Sequence, residues 1–173
     1  MGNNFFRVKL ACYSSNVSMA VVSALSPLLF LTFKEKYDIS YSLLGLLVLI
    51  NFVTQLLIDV AFSLFSHRFN VEKTVKLMPV LCFVGLIIFG TAPMVFSNNV
   101  YLGLCFGTVI FSASCGLGEV LISPIVAHIP SENPEKEMSA LHSAFAWGVV
   151  GVVVFSTCFL KVVGDDRWYI LVY

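Results

Sequence analysis

Glu119 and Asp59 are the acidic side chains that stand well inside long apolar runs, in the stretches Tyr101–Ala127 and Leu43–Phe65. A charge at the centre of a membrane helix costs at least about 2.5–3.5 kcal/mol, so such a group must be neutralised, paired or turned toward water. The chemistry open to Glu119 is to take and release a proton as a pore switches access. The structural alternative is a carboxyl that ties two helices together. Asp59 stands closer to the end of its run, where gating, a salt bridge or a cap on a neighbouring helix is expected.

Spacing groups the other polar residues around these two. Asn51, Gln55, Asp59 and Ser63 recur every four residues, which sets them along one slowly drifting stripe expected to face the bundle interior. Ser112, Gly116, Glu119 and Ser123 share a face of another segment by the same rule, while Gly103, Gly107, Ser114 and Gly118 supply small residues for close helix contact. Asn16, Asn51, Gln55, His142 and Ser143 are the candidates to line a solute cavity. His142 could also relay a proton or simply be solvated near the interface. Gly148 and Gly151, beside Trp147, read as a packing or bending surface.

The sequence offers no nucleophile with a matching base, no HExxH, no phosphate-cradling glycine loop and no set of metal-ligand spacings. Glu119 with His142 is the faint exception that a catalytic template could use. An enzyme is not expected, nor is a metal or other cofactor. The five cysteines (Cys12, Cys82, Cys105, Cys115 and Cys158) lie within apolar runs without a CxxC pair and read as small core residues.

The elements that must position these groups are membrane helices. Hydrophobic residues make up 58% of the 173, charged ones 12%, and mean hydropathy is +0.92, which leaves a bilayer as the expected solvent. A hydrocarbon core of roughly 30 Å needs about 20 apolar residues in helical form. Five segments meet that length, at about 10–33, 43–65, 75–96, 101–127 and 138–163, and a sixth is expected to start at 167–173 with Arg167-Trp168-Tyr169 and then be cut off. Pro27 and Pro124 are the candidate bends.

Ten basic and ten acidic residues cancel and form no basic face, so nucleic acid is excluded as an expected partner. With the N-terminus in the cytoplasm, Arg7, Lys9, Arg68, Lys73, Lys76 and Lys136 lie inside, against Lys34, Lys36, Lys161 and Arg167 outside. The positive-inside rule favours that orientation, in a multi-pass protein of the plasma membrane.

This organisation resembles the N-terminal six-helix half of the major facilitator superfamily. The loop signature G-x-x-x-D-R-x-G-R-R/K of that superfamily corresponds in position to Ser63–Lys73. Arg68 and Lys73 keep the basic positions, Ser63 and Asn70 stand for glycines, and His67 stands for the acid. Gly116-x-x-Glu119-x-x-x-Ser123-Pro124, followed by Met138-Ser139-x-x-His142-Ser143, is similar to the fucose-permease branch of sugar/proton symporters. The first helix carries no carboxylate to match the second acid of those symporters. The resemblance implies an all-α polytopic membrane bundle, truncated in its sixth helix, that works with a C-terminal half or a partner chain. It implies secondary transport of a small polar, sugar-like solute with protons. Glu119 would be the proton-coupling carboxylate, His142 a cavity residue, and Asp59, His67, Arg68 and Lys73 the gating and loop residues. The alternative is a non-transporting membrane interaction subunit.

Overall fold

A computed structural model describes residues 2–172, with the side chains of residues 5–172. Every regular element among them is helical: α1 (Gly2–Leu28), α2 (Phe30–Tyr37), α3 (Tyr41–Phe65), α4 (Val71–Val95), α5 (Val100–His128) and α6 (Pro134–Val163). Short 3-10 segments follow α3 at Ser66–Arg68 and α6 at Asp165–Leu171. Counting α1 and α2 as one rod, five helices are long and apolar enough to cross a bilayer, and the chain is a multi-pass helical membrane bundle.

The helices begin earlier than the apolar runs do, and the reason is local. Asn70, Asn99 and Asn133 each precede a helix and accept a backbone N–H from the first turn, at 3.1, 3.4 and 3.0 Å, and Ser40 does the same for Leu43 at 3.3 Å. Pro134 adds a preset first position for α6. Polar first turns such as Val71-Glu72-Lys73-Thr74 are therefore helical, although they contribute nothing to an apolar count.

Pro27 has no N–H to give Ser23, and the rod breaks just beyond it. Leu29 sits between α1 and α2, its N–H shared between the carbonyls of Leu25 and Ser26 at 3.2 Å each. Pro124, by contrast, does not interrupt α5, which continues to His128.

The segment after α6 also departs from expectation. Gly164, at φ +88°, turns the chain, and Asp165–Leu171 folds into 3-10 turns kinked at Arg167 where an α-helical start is expected. Trp168 is fully buried, edge-on to Phe33 (5.0 Å) and Phe89 (6.2 Å), and its indole N–H donates to the Tyr37 hydroxyl at 3.1 Å. An aromatic cluster provides more contact area than interfacial water would, and the hydrogen bond satisfies the indole. Tyr173 lies outside the described residues.

α5 is the central helix, packed on α4, α3 and α1, while α6 packs mainly on α1 and touches α5 less. The α4–α5 seam is close because Gly107 lies under Phe89. A Cβ there would sit 2.7 Å from both the Phe89 backbone nitrogen and its Cβ. Ser114 Oγ crosses the same seam to the Met78 carbonyl at 2.7 Å. Ion pairs fasten each end of the bundle. Lys9 pairs with Glu137, whose side chain and backbone carbonyl also accept from Tyr13, and Lys36 pairs with Asp166 at 2.7 Å.

Candidate functional site

α3 and α5 run in the same direction, and an offset of 61 residues relates two of their buried contacts. Ser112 Oγ donates to Asn51 Oδ1 at 2.5 Å across that offset. Gly116 meets Gln55 at the same separation, where a Cβ would lie 3.1 Å from the Gln55 Cα and carbonyl. Asn51 Oδ1 also accepts from Gln55 Nε2 at 3.0 Å, so one amide oxygen gathers two donors in a buried setting. Hydrogen bonds of this kind are what a polar residue needs to be tolerated at membrane depth.

One turn further along both helices stand Asp59 and Glu119, close enough for their charges to interact. Asp59 is half-buried, and its Oδ1 has no hydrogen-bond partner among the described residues. Glu119 is exposed. At about 100° per residue, Glu119 points within about 20° of the direction of Ser112, between Cys115 and Gly116. Cys115 faces α1, where Ser23 Oγ approaches its sulfur at 3.8 Å, and Gly116 faces α3. Glu119 therefore stands at the mouth of the groove between α1 and α3, which touch each other only sparsely. It is about 7.5 Å along the axis from the middle of α5, well inside a bilayer core. The two carboxyls and the amide network lie on successive turns of α3 and α5, with no hydrogen bond joining them among the described residues.

The other expected residues fall elsewhere. Asn16 is buried in a second seam, α1 against α6, where its Nδ2 donates to the Leu141 carbonyl at 2.8 Å. His142 and Ser143 follow Leu141 on the exposed side of α6, and the Ser143 hydroxyl donates to its own helix at the Ser139 carbonyl, 2.9 Å away. His67 and Arg68 occupy the 3-10 turn after α3, with the Arg68 guanidinium 5.8 Å from the centre of the Phe65 ring. Lys73 lies in the capped first turn of α4.

Two clefts open at the end of the bundle that carries the start of α1. One of about 670 Å³ lies among α1, α3, α4 and α5, and one of about 420 Å³ lies between α1 and the start of α6. Asn16, Asn51, Gln55, His142 and Ser143 line neither. Among the described residues no three His, Cys, Asp or Glu side chains converge as a metal site would require.

Reading the sequence missed Tyr13, Lys9 and Glu137, which join α1 to α6, and Thr108, fully buried without a hydrogen-bond partner among the described residues. An acid in the first turn of a helix was a legible signal for Glu137. Nothing in the sequence marked which basic residue it would meet. No protein-family model, no curated protein and no solved structure matches the chain.

Proposed function

We propose that this chain forms one helical half of a secondary transporter for a small polar, sugar-like solute, coupled to protons through Glu119. The observation that carries the reading is a carboxylate at membrane depth that stays exposed among the described residues. A charged group is not left facing hydrocarbon, so the groove between α1 and α3 faces either a water-filled cavity or a second protein surface. In transporters built from paired repeats the substrate and coupling ion meet near the midplane between the two bundles. Resemblance to the N-terminal half of the major facilitator superfamily supplies the second bundle, on the same polypeptide or on a partner chain.

In this reading Glu119 exchanges its proton with the cavity while Asp59 beside it responds to the change of charge. Asn51, Gln55 and Ser112 hold α3 and α5 in register beneath the pair. Arg7, Lys9, Arg68, Lys73, Lys76 and Lys136 belong to the end with the two clefts, and by the positive-inside rule they support a cytoplasmic side for that end in a plasma-membrane protein.

The rival is a membrane interaction subunit, favoured by the bare outer face of α6, where Trp147 is 74% exposed. A single cysteine at position 119, with the five native cysteines replaced by alanine or serine, separates the two. In native membranes Glu119→Cys is expected to react with a charged, membrane-impermeant thiol reagent, and Glu119→Gln to abolish proton-linked solute uptake by the cells. A cysteine inert from both sides, together with unchanged uptake in Glu119→Gln, would remove the transporter reading and leave the interaction subunit.

A further inference from the structure

Sulfur gathers at one junction of the bundle. Met19 of α1 and Met78 of α4 are both buried, and both reach the same point on α5, beside Gly118. A Cβ on residue 118 would collide with Met19 Sδ and would lie 3.1 Å from Met78 Cε, so the two thioether ends are neighbours and glycine leaves them their room. One turn away on α5 is Cys115, buried, with its sulfur 3.8 Å from Ser23 Oγ, and Ser23 is one turn from Met19 on α1. Cys82, one turn from Met78 on α4, is close enough to Cys115 for the two thiols to interact electrostatically. Three helices therefore bring two thioethers and two thiols onto adjacent turns of one junction.

The transport reading uses none of these four side chains, and the donor set is chemically selective. Thioether sulfur is uncharged and polarisable, which suits a soft cation and offers little to magnesium or calcium. Zinc takes thiolate, imidazole and carboxylate ligands. The three histidines stand elsewhere, in the turn after α3, at the end of α5 and on the exposed side of α6. A cation at membrane depth also needs negative charge beside it. A thiol supplies that charge on binding. The S–H bond breaks, its electron pair stays on sulfur to form the metal–sulfur bond, and the proton leaves, so ion and ligand together are neutral. Glu119, within electrostatic reach of Cys115, is a base at hand to take that proton.

We propose that this junction is a binding site for a soft monovalent metal ion of the copper(I) and silver(I) class, held by the thiolate of Cys115 and the thioethers of Met19 and Met78, with Cys82 as the fourth sulfur. Soft ions select this combination of thiolate and thioether. The site does not depend on whether the chain transports anything.

The test is silver(I) binding to the purified full chain in phospholipid nanodiscs and chloride-free buffer, with Cys12, Cys105 and Cys158 replaced by alanine. Silver(I) shares the ligand preference of copper(I) and adds no redox step. One ion per chain is expected, with release of one proton. Met19→Leu and Met78→Leu keep the side-chain volume and remove the sulfur, and each should weaken binding at least about tenfold, while Cys115→Ala should weaken it about 100-fold. Met138→Leu, on α6, should leave it unchanged. Gly118→Ala should also weaken binding by pushing Met19 aside, and the leucine variants test the proposal even if that chain misfolds. X-ray absorption at the silver edge should show sulfur neighbours alone. No stoichiometric silver, unchanged affinity in the Met19→Leu, Met78→Leu double variant, or a nitrogen or oxygen shell around the ion would overturn it.

Discussion

Asn51 shows how much a single side chain can organise at membrane depth. Its Oδ1 takes hydrogen bonds from Gln55 of its own helix and from Ser112 of α5, so Asn51→Leu strands two buried donors at once. The expected loss is about 1 kcal/mol of bundle stability, since interhelical hydrogen bonds in membranes average well below their vacuum strength. Ser112→Ala should cost little once Asn51 is gone, and denaturation in mixed micelles of both single variants and the double variant would read that coupling. Additive losses would mean that the 2.5 Å contact does not operate. The four-residue spacing of Asn51, Gln55 and Asp59 was legible as one stripe. The identity of the residue opposite was not, because the register between α3 and α5 is fixed by how two helices pack and leaves no periodic trace in either. Glycines divide by the same criterion. Gly107→Leu must push into Phe89 and should cost about 1–3 kcal/mol, whereas Gly151, where an added Cβ would have no atom within 4 Å, should accept leucine with a change below about 0.5 kcal/mol. Similar midpoints for the two would contradict the packing described for α4 and α5.

Among the elements, the spanning helices were plain from their apolar length, and the 3-10 segment Asp165–Leu171 was not. Arg167-Trp168-Tyr169 followed by aliphatic residues has the composition of a helix start at an interface. What decides its fate is the space left by Phe33, Tyr37 and Phe89, on two other helices. Lys36 holds this segment at one point and keeps the Asp166 carboxyl below its ordinary range, first through a hydrogen bond and then through charge attraction. A carboxylate depressed in the folded state contributes above its unfolded value and loses that contribution as pH falls through the folded one, so the loosening belongs to the acid range below ordinary aspartate. In a Trp147→Phe background, acidification at low salt is expected to shift Trp168 fluorescence to the red, and Asp166→Asn should lack that step. Asp166 is 92% exposed, so added salt should shrink the effect. An unchanged acid step in Asp166→Asn would assign it to another group.

For the whole molecule, the order of helices along the chain and their order in space differ in one informative way. α4 and α5 are neighbours in both, joined through Phe96–Asn99 and packed along their lengths. α1 finds its broadest contact on α6, the helix most distant from it in sequence, and much of what it needs there is polar: Asn16 with Leu141, and Lys9 and Tyr13 with Glu137. Apolar length made each rod predictable in isolation but carried no information about which pairs would join, since lipid-facing and helix-facing aliphatic residues look alike in a sequence.

That arrangement sets a timetable for biogenesis. During synthesis the α4–α5 hairpin can close as soon as its second arm has entered the bilayer, while α1 must wait through four further helices with an asparagine and a lysine unanswered. α1 is made before α6 but is completed only when α6 arrives, and over that interval the nascent chain depends on the insertion machinery, or on transient contacts with the intervening helices, to shelter Asn16 from lipid.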